Sequence, residues 1–322
     1  MTVYNGERFI RESIESILNQ TFRDFEFIII NDGSTDASSE IIRSFVDTRI
    51  RLIDNKKNFG VYRSANKGLK LAKGKYIARQ DDDDISLPTR LAEQVKFLET
   101  HRTIALVGTN YTTIDGKGNP LTYVRLKKND ADIKEKLVEH CAVCHPSMMF
   151  RRSVLDSAGY YREKFDCAGD YDFIKRISEH HKVANLDKDL YQLRRGIQSI
   201  SSDKLSKQLS CHLLIIELAK ERRQRGKDSL DILRKKDMNS VGSIDDILNK
   251  KYKVQRSRIN GFKSEICLGY FKESLKAEDK RLALKYWLNA FRLEPRKWKI
   301  RYLLENIAPP PLGRTQQLVR GN

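Results

Sequence analysis

The sequence predicts an α/β fold, a mostly parallel sheet flanked by helices and followed by a helical extension. Three observations carry the prediction. Apolar runs alternate with helix-like patterns of roughly 10–15 residues over the first hundred positions, the rhythm of a doubly wound sheet. Residues 25–30 are almost continuously apolar, as suits a strand covered on both faces. The polar ends of successive strands, at Tyr4 and Asn5, at Asn31 and Asp32, and at Asp81, Asp82, Asp83 and Asp84, all fall on one edge of such a sheet. That is the carboxyl edge, where open α/β sheets bind ligands.

The elements follow in order. Residues 1–6 read as the end of a strand entering a loop, and a helix follows with Phe9, Ile10, Ile14, Ile17 and Leu18 on one face. The strand at 25–30 ends in a polar turn that can cap the next helix, whose inward stripe is Ile41, Ile42, Phe45 and Val46. Residues 49–54 form a short strand. Residues 61–73 are helical, with Ala65, Leu69 and Ala72 inward, and Gly74 ends them. A strand at 76–80 then runs into the four aspartates. Adjacent carboxylates repel, so a half-buried set of them calls for a hard divalent cation such as Mg²⁺ or Mn²⁺. Beyond these the pattern loosens. It predicts a helix at 88–100, a strand at 104–110, a hairpin turn at 115–119, helices at 131–140, 153–158 and 170–180, and weak strands at 183–186 and 190–193.

Charge divides the chain. Residues 1–200 carry 33 Lys and Arg against 29 Asp and Glu, while residues 201–322 carry 28 against 14. The basic character of the last third suits an anionic surface. That third reads as amphipathic helices at 205–225, 244–250, 266–275, 282–293 and 297–307, and Ala283, Tyr286, Ala290 and Leu293 before Pro295 resemble one tetratricopeptide-like hairpin. No apolar run approaches the length of a membrane span. Five cysteines at irregular spacing argue against a disulfide framework and for a reducing compartment. Cys141, Cys144 and His145 match the bare pattern for haem attachment but read as two small half-buried thiols beside a strand. There is no nucleic-acid-reading motif, so no nucleic acid is expected as a partner.

Taken as an ordered set, Thr2 to Glu7, Ser16 to Thr21, Asn31 to Asp36, Asn58-Phe59-Gly60, Gly74 to Arg79, the acidic run, His145-Pro146-Ser147 and Asp170-Tyr171-Asp172 resemble family 2 glycosyltransferases of the GT-A fold. The resemblance covers about residues 1–200. It implies a GT-A domain over 1–203, truncated at its start, then a basic helical extension over 204–308 and a loose tail over 309–322. The implied reaction inverts the anomeric centre of a nucleotide sugar, a UDP-sugar first of all, with Mg²⁺ or Mn²⁺ as cofactor and a glycan or lipid-linked glycan as acceptor. Carried over by position, Val3, Tyr4, Glu7, Asp32, Arg63, Asp81 and Asp82 hold the nucleotide sugar, with Asp32 accepting from the base. Asp83 binds the metal, helped by Asp81. Asp170 is the general base, and His145 and Asp172 lie on the acceptor side. The expected location is the cytoplasm, peripheral to the inner face of the membrane through residues 205–308.

Three departures from the family pattern accompany the match. The apolar first strand that ends at the position of Val3 in such enzymes is missing, which implies a start displaced downstream, or a fragment. The acid that precedes the base is Gly169 here. The Tyr-Arg-x-His run of many relatives corresponds to Leu193-Arg194-Arg195-Gly196, so Arg194 or Arg195 would face the phosphates instead. The alternative to an enzyme is a degenerate, non-catalytic scaffold on the same fold.

Overall fold

A computed structural model describes residues 1–138, 141–165, 167–194, 202–233, 241–255, 257–261, 263–264, 267–268, 271 and 280–293. By contacts the chain divides into two compact units, Met1–Lys253 and Val254–Asn322.

The first unit begins with a small parallel sheet. β1 (Thr2–Val3) pairs with β2 (Phe27–Asn31), and β2 with β3 (Ile50–Asp54). The crossovers are α1 (Ile10–Leu18) and α2 (Ser38–Arg43). Their apolar stripes meet the sheet at Val3, Ile10, Ile14, Ile17, Phe27, Ile29 and Ile42, all buried. Val46, expected on the inward stripe of α2, is 102% exposed, because the helix ends at Arg43 and the chain turns outward. α3 (Val61–Leu71) returns the chain to β4 (Tyr76–Ala78).

The second half is a mixed sheet in the order β4, β8, β6, β9, β5, with β7 paired to β6. Its members are β5 (Ile85–Ser86), β6 (Ile104–Ile114), β7 (Pro120–Val124), β8 (Met149–Arg151) and β9 (Lys182–Arg194). Among the described residues only β6 with β9 is parallel in this sheet; the other pairs are antiparallel. β9 is one strand of 13 residues where the sequence suggested two short ones. The charged residues between those two, Asp187, Lys188 and Asp189, interrupt the apolar pattern but not the ladder to β6, which absorbs them at an irregular register. A parallel bridge between Thr2 and Asp81 joins the two sheets at the acidic run.

α4 (Arg90–Thr100) covers the mixed sheet through Leu91 and Leu98 against Val107, Met149 and Ala184. Its buried Arg90 donates to the carbonyls of Arg79 and Pro146 at 2.9 and 3.1 Å, fixing the strand that leads into the acids. α5 (Asp130–Lys136), α6 (Val154–Ala158) and α7 (Gly169–His180) complete this half. The compact unit continues past residue 203 through α8 (Ser202–Arg225) and α9 (Val241–Lys250). α8 packs on α7, with Leu214, Ile215 and Leu218 buried and Arg222 paired to Glu179 at 2.7 Å.

In the second unit α10 (Lys280–Leu293) buries Trp287 and Ala290, and Trp287 stacks on Phe291. The helices expected at 266–275 and 297–307, and the tail at 309–322, lie wholly or partly outside the described residues. Among the described residues no helix is long and apolar enough to cross a membrane.

Candidate active site

The carboxyl ends of β1, β2 and β4 and the start of α7 surround a cavity of 440 Å³. Eight of the residues predicted from sequence come together on its wall: Val3, Tyr4, Asp32, Asp81, Asp82, Asp83, His145 and Asp170. A larger groove of 710 Å³ opens between β2 and β4, lined by Phe27, Ile30, Leu69 and Ile77. Its walls are mainly apolar, and none of the aspartates 81–84 lines it, so it has less to offer chemistry.

Asp32 follows β2 and is 2% exposed. Its Oδ1 accepts from Asn55 Nδ2, Ser64 Oγ and the Phe59 amide at 2.8, 2.7 and 3.0 Å, and its Oδ2 accepts from the Gly60 amide at 2.9 Å. The loop 55–60 is thus folded around one carboxylate, which keeps a lone pair on Oδ2 for a ligand. Gly33 makes the approach possible. It sits at φ +75°, and a Cβ there would come within 2.5 Å of the Lys57 main chain.

The acidic loop is held from behind. Ser13 Oγ donates to the Asp81 carbonyl at 2.8 Å, and Arg79 donates to Asp81 Oδ1 at 2.8 Å. Gln80 Nε2 donates to the Asp84 carbonyl at 2.8 Å. Buried Asp84 accepts from the Arg194 amide at 2.7 Å and from the Tyr191 hydroxyl at 3.0 Å. Arg194 does not face phosphates. Its buried guanidinium turns inward to the carbonyls of Asp83 and Asp115 and to Glu12, because β9 runs directly beneath the loop. Arg195 lies outside the described residues.

The two forward carboxylates carry the strain of this packing. Burial, then the charges of Asp83 and Asp81, push Asp82 up to about 7. Burial, then Asp81, push Asp83 up to about 6, with Arg194 pulling it partly back. Each is a negative charge short of positive compensation. That donor set fits a hard divalent cation. Among the described residues no three His, Cys, Asp or Glu side chains form a ready metal cage, so a ligand's own oxygens would have to complete the shell.

Asp170 stands on the first turn of α7 at the positive end of the helix dipole, half-buried. Among the described residues its carboxylate has no hydrogen-bond partner. His145 opens a 3₁₀ turn (His145–Ser147), and its Nε2 shares a hydrogen bond of 2.8 Å with the Tyr161 hydroxyl. Burial, then the Arg79 charge, lower its pKa and keep the imidazole neutral. Cys141 is pushed up to about 12 by burial and is therefore a neutral thiol.

Three predicted residues stand off the cavity. Glu7 accepts from the Ala37 amide at 3.0 Å and braces a surface loop. Arg63 points outward over the Phe59 ring. Asp172 is 0% exposed and pairs with Arg176 at 2.9 Å on the inner side of α7, because α7 is covered on several faces and residue 172 falls on a buried one. Conversely, Asn58, Tyr62 and Arg79 line the cavity without having been assigned to it. Arg79 was findable, since side chains two apart on a strand share a face and Asp81 follows at that spacing. Nothing in the sequence pointed to Tyr62.

Comparison with known proteins gives this geometry a family. The model of glycosyl transferase family 2 matches residues 1–159. A glycosyltransferase of Methanocaldococcus jannaschii, itself uncharacterized, is 39% identical over 200 residues, which are 60% of this chain and 69% of that protein. The chain belongs to glycosyl transferase family 2. EpsE of Bacillus subtilis, described as a glycosyltransferase, is 37% identical over 60% of this chain and 71% of its own length. The fold of this family 2 enzyme also matches residues 1–349 of S. aureus TarS, crystallised with UDP-GlcNAc, at a TM-score of 0.58 and 16% identity over 92% of this chain and 89% of that one. A mannosyltransferase of Pyrobaculum calidifontis, in complex with GDP-Man and Mn²⁺, matches at 0.52 and 14% identity, covering 92% of this chain and 86% of that one. The GT-A architecture is therefore shared, with a parallel first half and a mixed second half.

Proposed function

We propose that this glycosyltransferase inverts the anomeric carbon of a nucleoside diphosphate sugar, a UDP-sugar first of all, as it passes the sugar to a hydroxyl of a glycan or lipid-linked glycan. The observation that carries the reading is the convergence of Asp32, Asp81, Asp82, Asp83 and Asp170 on one cavity. Fold neighbours crystallised with UDP-GlcNAc and with GDP-Man support the donor class.

In this reading Asp32 Oδ2 accepts from the nucleobase, and Val3 and Tyr4 line the base pocket. Asp83, with Asp81, holds Mg²⁺ or Mn²⁺, and Asp82 flanks them. Bound there, the metal supplies charge neutralisation to the leaving diphosphate. Asp170 takes the proton of the acceptor hydroxyl. The acceptor oxygen attacks C1 from the face opposite the diphosphate, the C1–O bond to phosphate breaks, and the nucleoside diphosphate leaves with the electron pair. Neutral His145 offers the acceptor a hydrogen-bonding edge.

Calorimetric titration with UDP, with and without Mn²⁺, tests the donor site. Metal-dependent binding lost in Asp83→Ala is the expected result. Absence of binding by UDP, GDP or dTDP with either metal would favour the degenerate scaffold. The basic residues of 205–308 are proposed to hold the enzyme at the cytoplasmic face of an anionic bilayer. The full chain should then sediment with phosphatidylglycerol vesicles at low salt and not with phosphatidylcholine ones.

A further inference from the structure

We propose that Tyr62 is the positioning residue for Asp170: its ring occupies the space of a side chain at position 169, and its hydroxyl holds the first amide of α7. The inference rests on the reading of Asp170 as the general base and adds what sets its place.

Tyr62 lies on the first turn of α3, two residues after Gly60, whose amide grips Asp32. Its hydroxyl accepts from the Gly169 amide at 2.8 Å. That amide is one of the four at a helix start that have no partner inside the helix. Burial and the charge of Asp170 keep the Tyr62 phenol protonated. Its ring stacks on Tyr161 at 5.6 Å, and Tyr161 bonds His145. Ring and glycine are fitted to each other. A Cβ on Gly169 would stand 2.6, 2.7 and 3.0 Å from three ring carbons of Tyr62. Those atoms belong to a ring already packed on one side, so it has little room to give.

The residue before Gly169 shows the same constraint. Ala168 is buried at φ +60°, a left-handed conformation that a non-glycine residue adopts only when its surroundings force it. The Gly169 amide that opens the helix of Asp170 is held by a neighbour distant in sequence, Tyr62. This also accounts for the missing acid at position 169: no side chain fits there while the ring is present. One rigid helix, α3, carries both the loop around Asp32 and the strut to Asp170, which fixes the distance between the nucleobase end and the reacting end.

The test is an exchange of size on the full chain, read as UDP release from a panel of UDP-sugars and as calorimetric UDP affinity. Gly169→Ala should lower kcat about 100-fold, since an ångström of misplacement costs that much, with UDP affinity within about twofold. Tyr62→Phe, which removes only the hydroxyl, should lower kcat about fivefold, with the KM for donor unchanged. The double variant Tyr62→Ala with Gly169→Ala should turn over faster than Gly169→Ala alone, because the clash is gone. Wild-type kcat in Gly169→Ala, or a double variant no faster than Gly169→Ala alone, would overturn the proposal. Amide exchange at Gly169 gives a second measurement without turnover: it should quicken in Tyr62→Phe, and unchanged exchange would also overturn it. Full turnover in Asp170→Asn would remove the base assignment while leaving the exchange result standing, so the two failures are distinguishable.

Discussion

The two carboxylate groups that line the cavity are built in opposite ways. Asp32 is enclosed by four donors, three from the loop 55–60 folded around it and one, Ser64, from α3. Asp82 and Asp83 are half-buried, and burial raises them to about 7 and 6, helped at Asp82 by the charges of Asp83 and Asp81 and at Asp83 by that of Asp81. A carboxylate with its donors supplied is a piece of structure with a spare lone pair. A carboxylate left short of compensation is a site waiting for positive charge. Both stand at the ends of strands on one edge, so position does not distinguish them. Their partners do.

The contrast is tested by neutralising one member of each kind and a third carboxylate, Asp170, outside both. Asp170→Asn should reduce turnover about 10³-fold while UDP affinity stays near wild type, as loss of a general base does. Initial rates and calorimetry on the same preparation check this. Asp32→Ala should cost about 3 kcal/mol of stability in urea unfolding, because it strands several buried donors at once. Asp83→Asn should instead leave the metal-free protein as stable as wild type or about 1 kcal/mol more stable, since it removes repulsion rather than a partner. Equal losses in the two variants would erase the distinction.

Acidity sharpens it further. A carboxyl whose folded-state pKa is raised binds its proton more readily in the native state than in the unfolded chain, where the value is 3.8. Its ionisation therefore destabilises the metal-free fold above about pH 7, and the penalty fades as pH falls through about 7 toward 4. The melting temperature of Asp82→Asn should exceed that of wild type most at pH 8, and the gap should narrow as pH falls and close only near pH 4. A gap independent of pH would count against the repulsion. Mn²⁺ should narrow the gap at pH 8, because a cation held by Asp83 and Asp81 would supply the positive charge that ionised Asp82 lacks. The smallest effect is expected at Ala168→Gly. Relief of the left-handed alanine, set against the greater freedom of glycine in the unfolded chain, should raise stability by about 0.5 kcal/mol in urea unfolding.

Much of the site was legible because its residues close strands. The end of an apolar run followed by Asn31-Asp32 or by four aspartates can be seen without knowing the fold, and the alternation of strand and helix puts those ends on one edge. The misplacements fall where that logic does not apply. Glu7 and Arg63 stand beside motif residues, but their side chains leave the cavity. Asp172 shares a motif with Asp170, yet two residues along a helix turn a side chain through about 200° onto another face. Arg194 or Arg195 was expected at the phosphates, and β9 carries Arg194 instead under the acidic loop, through a register with β6 that only the folded ladder defines.

The class of fold, the carboxyl edge and the aspartates along it follow from the chain's own pattern, since periodicity and strand ends are local properties. The tertiary structure alone decided what each carboxylate became. Donors from residues 55–64 settled Asp32, burial and the charges of neighbouring aspartates set Asp82 and Asp83, and a tyrosine 107 residues away from Gly169 took up the first amide of α7. The reason is physical. Periodicity needs only neighbours along the chain, whereas the charge state and aim of a side chain depend on whatever the fold packs against it.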